Sequence, residues 1–281
     1  MHNKYNWLTK EILEKDYSEF GNFKLIGLKY NIPRSTIERY CKILGVKTNA
    51  KISYTCDDDF FSKDNEDSFY LAGFIAADGC IYQHKCKEPN SIIITLSEKD
   101  KNHLILLKNK LNFNGPITNS INRHSKSNIN WKDTTQSRFA IYSKKIIYDL
   151  KRFNIGQRKS LIYNMPDWLI NHPLVNHFLR GYVDGDGSFF ILHEKRKTKT
   201  KGISIYSKFV FGLRGTNEFL YSFKNILDRH NITTMSIPKF NNGIDELKYS
   251  GNIQVAKIAN FLYKDATIML QRKFDIVKGL L

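Results

Sequence analysis

The chain has 281 residues, 41% of them hydrophobic, and its 19 Phe, 15 Tyr and 3 Trp supply core material for about two domains and exclude disorder throughout. Lys and Arg total 44 against 27 acidic residues, a formal charge of +17 that points to a polyanionic partner. No 18-residue apolar run and no apolar segment behind Met1 stand in the sequence, so neither a membrane span nor a signal peptide is expected.

Residues 1–62 carry only +2 of that charge and read as a small helical module with a linker. Apolar spacing predicts one short helix over 23–30, a turn at Asn31-Ile32-Pro33, and a second helix over 34–44. Leu25, Ile26, Ile32, Ile37, Tyr40 and Leu44 are its candidate core. The pattern is that of a helix-turn-helix, whose second helix would present Arg34, Ser35, Glu38 and Arg39 to a DNA major groove. The polar stretch from Thr55 to Asn65 reads as the join to the larger remainder of the chain.

Residues 63–281 contain an internal repeat. Phe69-Tyr70-Leu71-Ala72-Gly73-Phe74-Ile75-Ala76-Ala77-Asp78-Gly79 returns 108 residues later as His177-Phe178-Leu179-Arg180-Gly181-Tyr182-Val183-Asp184-Gly185-Asp186-Gly187. In the first copy, strands are expected at 80–83, 91–96, 116–120 and 138–142, with helices at 102–111 and 145–153. In the second, strands are expected at 189–193, 208–213, 233–238 and 246–249, with helices at 218–229 and 253–263. The fold class is therefore α+β: two pseudo-symmetric α-β-β-α-β-β-α units with antiparallel sheets, at 63–165 and 166–281, plus the small helical N-terminal domain.

The repeated segment has specific physical content. Gly73 and Ala77, like Gly181 and Gly185, lie four apart on one helix face, where small residues let two helix backbones approach closely. Asp78 and Asp186 come directly after that face, each ahead of a Gly that can turn the chain. Two carboxylates thus meet near helix C-termini, where neither the macrodipole nor the other charge favours them. A divalent cation resolves both problems. Asp78 and Asp186, with the carbonyls of Ala77 and Gly185, offer the hard oxygen ligands that Mg²⁺ prefers. A zinc site at Cys80, His84 and Cys86 fits known ligand spacing poorly, and the four cysteines suit a reducing compartment. Cytoplasmic action on the nucleoid is the expected location, with organellar expression open.

The two motifs resemble those of a LAGLIDADG homing endonuclease of the single-chain, two-repeat type, and the resemblance covers about residues 66–281. It implies that Asp78 and Asp186 bind the catalytic metals, Mg²⁺ or Mn²⁺, with Ca²⁺ supporting binding without efficient cleavage. Ala76 departs from the acidic residue common at its place, and Asp184, which fills that place in the second motif, is not the family's metal ligand. The resemblance also implies a basic residue late in each repeat, here Lys159 and Lys273, with Arg158 and Arg272 as rivals. It further implies sheets that form a saddle over double-stranded DNA and products with short 3′ overhangs. One chain suffices where a one-motif protein dimerises, so a monomer is expected.

Basic residues along the expected sheets supply candidate DNA contacts: Lys85, Arg138, Lys208 and Arg214, together with Lys195, Arg196, Lys197 and Lys199 in a basic stretch expected to connect two strands. An intron maturase that binds RNA on the same scaffold, or a regulator that binds DNA without cutting it, remain the alternatives. The intact pair Asp78 and Asp186 speaks against the regulator.

Overall fold

The computed structural model describes residues 5–46, 48, 54–83, 89–122, 133–198, 202–236 and 243–281. The chain forms two compact units, Met1–Tyr54 and Thr55–Leu281.

The first unit holds α1 (Lys10–Phe20), α2 (Phe23–Tyr30) and α3 (Arg34–Ile43). Thr9 caps α1 and Asn22 caps α2, each side chain accepting a backbone N–H of the first turn. Asn31 ends α2 in the left-handed region at φ 54°. Gly27 is required there, because a Cβ would lie 2.5 Å from the carbonyl oxygen of Ile32. The expected helices over 23–30 and 34–44 are present, and α1 adds a third that apolar spacing did not predict. Ile26, Ile32, Ile37 and Tyr40 are buried as expected, whereas Leu25 is 45% exposed. The buried Leu13 of α1 and the Lys29–Asp16 ion pair at 2.7 Å close the unit.

The second unit begins earlier than the expected boundary after residue 62. Phe60 and Phe61 are buried in its core, and Asp57 donates its backbone N–H to the Leu111 carbonyl at 2.9 Å. The expected linker is therefore largely part of the packed body. The chain continues through α4 (Glu66–Asp78), β1 (Cys80–Tyr82), β2 (Ser91–Ser97), α5 (Lys101–Lys110), β3 (Thr118–Asn122), β4 (Thr134–Tyr142) and α6 (Lys144–Leu150). After the short α7 (Asp167–Ile170) come α8 (Val175–Asp186), β5 (Gly187–Thr198), β6 (Gly202–Gly215), α9 (Asn217–Arg229), β7 (Asp245–Ser250), α10 (Asn252–Tyr263) and α11 (Gln271–Val277).

One antiparallel sheet has the order β1-β2-β4-β3, the other β5-β6-β7. The strand expected over 233–238 is not a ladder strand in its described part: Thr234 and Ser236 reach the Lys248 backbone through their side-chain oxygens, and residues 237–242 lie outside the described residues. Strand alternation gives each sheet a core face and an open face. Ile92, Ile94, Phe139 and Ile141 line one core, and Phe189, Phe211, Leu213, Leu247 and Tyr249 the other.

The second hairpin corrects one expectation. The basic stretch does not connect two short strands; its residues 193–198 are β5 itself, paired through Thr198 with Gly202. Composition suggested a loop, but Ile203 and Ile205 at alternate positions of β6 favour extension, opposite Lys197 and Lys195. The basic residues are consequently divided between two faces.

Candidate active site

Asn65 caps α4 with a reciprocal bond to Ser68, and the helix is buried from Ser68 to Ala76 because a neighbour covers each side. On one side lies α8. A Cβ on Gly73 would sit 1.9 Å from the Phe178 carbonyl oxygen, and one on Gly181 would sit 1.9 Å from that of Tyr70. The two glycines occupy corresponding places in the repeats, and each receives the other helix's backbone. A Cβ on Gly185 would meet Ala77 Cβ at 2.4 Å and the Asp78 carboxyl carbon at 3.5 Å. The seam read from small residues is thus present, and it brings Asp78 against the end of the opposite helix.

The glycines after the carboxylates act differently from expectation. Gly79 and Gly187 are extended, at φ −76° and −90°, so positive φ is not their function. Each lacks a Cβ that would otherwise strike the preceding turn, 2.7 Å from Ile75 Cα or from the Val183 carbonyl oxygen. Their N–H groups bond the Ile75 and Val183 carbonyls. The chain then passes straight into β1 and β5, so each carboxylate stands at the root of a sheet.

Asp78 and Asp186 keep solvent-exposed surface, yet protein crowds around them. Burial pushes the Asp78 carboxyl up, opposed by Lys273, Lys159 and Arg272. Burial and then the Asp78 charge raise Asp186 to about 6. Water at the exposed edges offsets part of this, but both effects share one direction. Lys159, 7% exposed, bonds the Gly79 carbonyl, and Lys273, 4% exposed, donates to the carbonyls of Val183, Asp184 and Gly185 at 2.9, 2.7 and 3.0 Å. Burial lowers both ammonium groups, Lys273 to about 8, while the nearby carboxylates pull them back up. Among the rivals, Arg158 is exposed on a left-handed backbone at φ 52°, and Arg272 bonds Asp100 at 2.9 and 3.0 Å.

A cavity of 750 Å³ opens beside Lys159, lined in part by Gly79, Cys80, Tyr82, Arg158 and Ile162. Among the described residues no three His, Cys, Asp or Glu are grouped to hold a metal. The donor set present is two carboxylates and helix-end carbonyls, and it fits Mg²⁺, which is held by one or two carboxylates and completes its shell with water and phosphate oxygens. The Gly185 carbonyl expected as a ligand already accepts from Lys273, leaving its second lone pair. Cys80 is a free, exposed thiol, and His84 and Cys86 lie outside the described residues.

The candidate DNA contacts divide by face. Arg138 lies on the open face of the first sheet, sharing it with Thr95 and Thr118. Lys208 and Arg214 lie on the open face of the second, where Lys208 pairs with Glu194 at 2.7 Å. Lys195 and Lys197 are exposed on the opposite face, beyond the core. Lys85, Lys199 and the Arg196 side chain lie outside the described residues. In the first unit Arg34, Ser35 and Arg39 are exposed on α3, with Arg34 3.8 Å from Glu38 and Arg39 over the Tyr40 ring.

Sequence reasoning gave Arg180 no role and set Asp184 aside as a non-ligand; both are buried groups. Arg180, fully buried, donates to the carbonyls of Ile268 and Leu262 and to Glu66, tying α8 to the end of the chain and to α4. Asp184 accepts from the Tyr70 and Tyr263 hydroxyls and from the Leu270 N–H at 2.7, 2.8 and 2.6 Å. A charged residue inside the apolar second motif was the available signal for each.

Residues 179–275 match the LAGLIDADG endonuclease family, a stretch that includes Asp186 and Lys273. No curated protein matches the chain. Among solved structures it is similar to the LAGLIDADG meganuclease I-AabMI bound to uncleaved DNA, at 17% identity over 77% of this chain and 88% of that one, TM-score 0.48. It is also similar to meganuclease I-SmaMI bound to uncleaveable DNA, at 14% identity over 74% and 87%, TM-score 0.49. A third is the I-LtrWI LAGLIDADG homing endonuclease bound to target DNA, at 12% identity over 79% and 92%, TM-score 0.48.

Proposed function

We propose that the chain is a site-specific endonuclease of double-stranded DNA that acts as a monomer and leaves short 3′ overhangs. The observation that carries the reading is the meeting of Asp78 and Asp186 at the ends of two helices in backbone contact, with a buried lysine at each end. Asp78 and Asp186 would hold divalent cations with the carbonyls of Ala77 and Gly185. A bound metal would supply a water of lowered pKa there and would stabilise the leaving oxygen. Lys159 has one hydrogen bond among the described residues, so two of its N–H donors are available to a phosphate oxygen or an attacking water. Lys273 spends three donors on α8 carbonyls and contributes its charge instead. The open sheet faces would track the duplex on either side of the seam, and α3 would extend the contact.

The test is selection of cleavable sequences from a randomised duplex library in Mg²⁺ or Mn²⁺, with sequencing of the cut ends. Paired cuts a few bases apart are expected, with binding and no efficient cutting in Ca²⁺. Asp78→Asn and Asp186→Asn should each lower cleavage on the order of 10²–10³-fold, the cost of removing one preorganised charge, while gel-shift affinity persists. Absence of cutting in every divalent metal, with specific binding of a structured RNA, would reject the proposal. Light scattering should find one chain per duplex.

A further inference from the structure

Among the positions at which the two aligned motifs differ, one bears on the site: Ala76 stands where the second has Asp184. Asp184 is 1% exposed, and its carboxylate is enclosed by elements from both repeats. Tyr70 of α4 and the Leu270 N–H share Oδ2, and Tyr263 of α10 donates to Oδ1. Tyr70 is in turn hydrogen-bonded to His103 of α5 at 3.0 Å. Leu270 is the residue before α11, and Lys273 lies in that helix's first turn, its N–H donated to the Leu270 carbonyl at 2.9 Å.

The same residue therefore holds α11 twice. Its side chain fixes the Leu270 N–H, and its main-chain carbonyl is the nearest acceptor of the Lys273 ammonium at 2.7 Å. Among the described residues Lys159 has no counterpart to this. It comes after Arg158 on a short turn and makes one hydrogen bond among the described residues, and its motif presents the methyl of Ala76 at the equivalent place.

We infer that Asp184 is a positioning residue that sets Lys273 against the end of α8, and that its absence from the first repeat makes the two cleavage centres unequal. This rests on the nuclease reading. Cleavage of one DNA strand depends on Asp184, and cleavage of the other does not. A carboxylate that merely stabilised the core would affect both strands together.

The experiment uses the full chain, Mg²⁺ and the selected duplex carrying a different label on each strand, under single-turnover conditions. Asp184→Asn keeps the volume and one acceptor oxygen. It is expected to slow one strand about ten- to hundredfold, the range for a residue that orients a site group, and the other less than about twofold. Lys159→Met should slow the opposite strand. Tyr263→Phe removes a single hydroxyl from the carboxylate and should slow the same strand as Asp184→Asn, by less, which keeps the test decisive if the Asn variant unfolds on thermal scanning. Equal slowing of both strands by Asp184→Asn or Tyr263→Phe, or slowing of the strand that Lys159→Met also slows, overturns the inference while wild-type cutting upholds the nuclease. No cutting by the wild type rejects both.

Discussion

The two repeats agree where their backbones meet and diverge where they support chemistry. Gly73 and Gly181 perform one function: each admits the opposite helix's carbonyl to a place where a Cβ would be 1.9 Å away. Gly79 and Gly187 likewise relieve the same clash with the preceding turn. Behind the seam the likeness ends. Lys273 is held by three carbonyls and by a helix pinned through Asp184, and Lys159, itself on a short turn, by one carbonyl among the described residues. Among the described residues the first strand of the second hairpin is also longer than its counterpart, β5 with 12 residues against three in β1. Close packing leaves no latitude at the seam, whereas a lysine can be delivered to a helix end by more than one route.

The largest effect expected from breaking this likeness is at the shared glycines. Gly73→Ala or Gly181→Ala places a methyl against backbone atoms that no rotamer change can move. Each should destabilise the second unit by about 3 kcal/mol or more, the upper range for overpacking, measured by urea unfolding. The two should cost alike, because the contacts are related by the repeat. Gly156→Ala is the control, since no atom lies within 4 Å of its added Cβ. Equal midpoints for all three would mean that the helices do not approach as described.

The likeness was the part legible in the sequence. Small residues four apart and a repeated Asp-Gly define a seam and a carboxylate pair, because steric contact and like charge are local facts. The expected order of strands and helices holds in both repeats except for the strand over 233–238, which forms no ladder in its described part, and β5 and β6 run longer than expected. What escaped was non-local. Nothing near Lys273 in sequence announces three acceptors on α8, and the region before it carries no periodic signal for α11. The basic stretch of β5 misled because charge suggests a loop, while its pairing depends on residues 202–207 across the hairpin. Leu25 misled because a short helix offers two plausible apolar stripes, and the close approach of Gly27 to Ile32 selects the other.

A smaller effect sharpens the contrast between the carboxylates and their surroundings. Asp186 has a folded-state pKa of about 6, raised first by burial and then by Asp78, against roughly 4 for an unfolded Asp. The folded chain therefore binds that proton more tightly than the unfolded chain. Stability conferred by it is present below pH ~4 and is lost as pH rises through about 6. In metal-free buffer Asp186→Asn should raise the unfolding midpoint at pH 7 and leave it unchanged near pH 4. Asp78→Asn should act in the same direction. Saturating Mg²⁺ should remove the advantage of the Asn variants, because the wild-type carboxylates then gain a ligand that stabilises the fold. A midpoint that falls at pH 7 in the absence of metal would show that the carboxylates are favourably held without one.

The smallest effect concerns the two faces of the long hairpin. Arg214 lies on the open face of the second sheet, close enough to Asp186 for its charge to favour that carboxylate. Lys195 is exposed too, but alternation places it on the opposite face, across from Ile205. Both carry one positive charge, so general attraction to a polyanion loses the same amount whichever is removed. A phosphate contact does not behave that way. Each contact releases condensed counterions and adds about 0.9 to the slope of log affinity against log salt. Arg214→Ala should therefore reduce that slope by about 1 on the selected duplex, and Lys195→Ala should leave it close to the wild-type value. The measurement is fluorescence anisotropy in Ca²⁺ over a series of salt concentrations. Equal reductions would mean that the duplex meets both faces of the hairpin, and a reduction for Lys195→Ala alone would place it on the face opposite the carboxylate-rooted sheet surface.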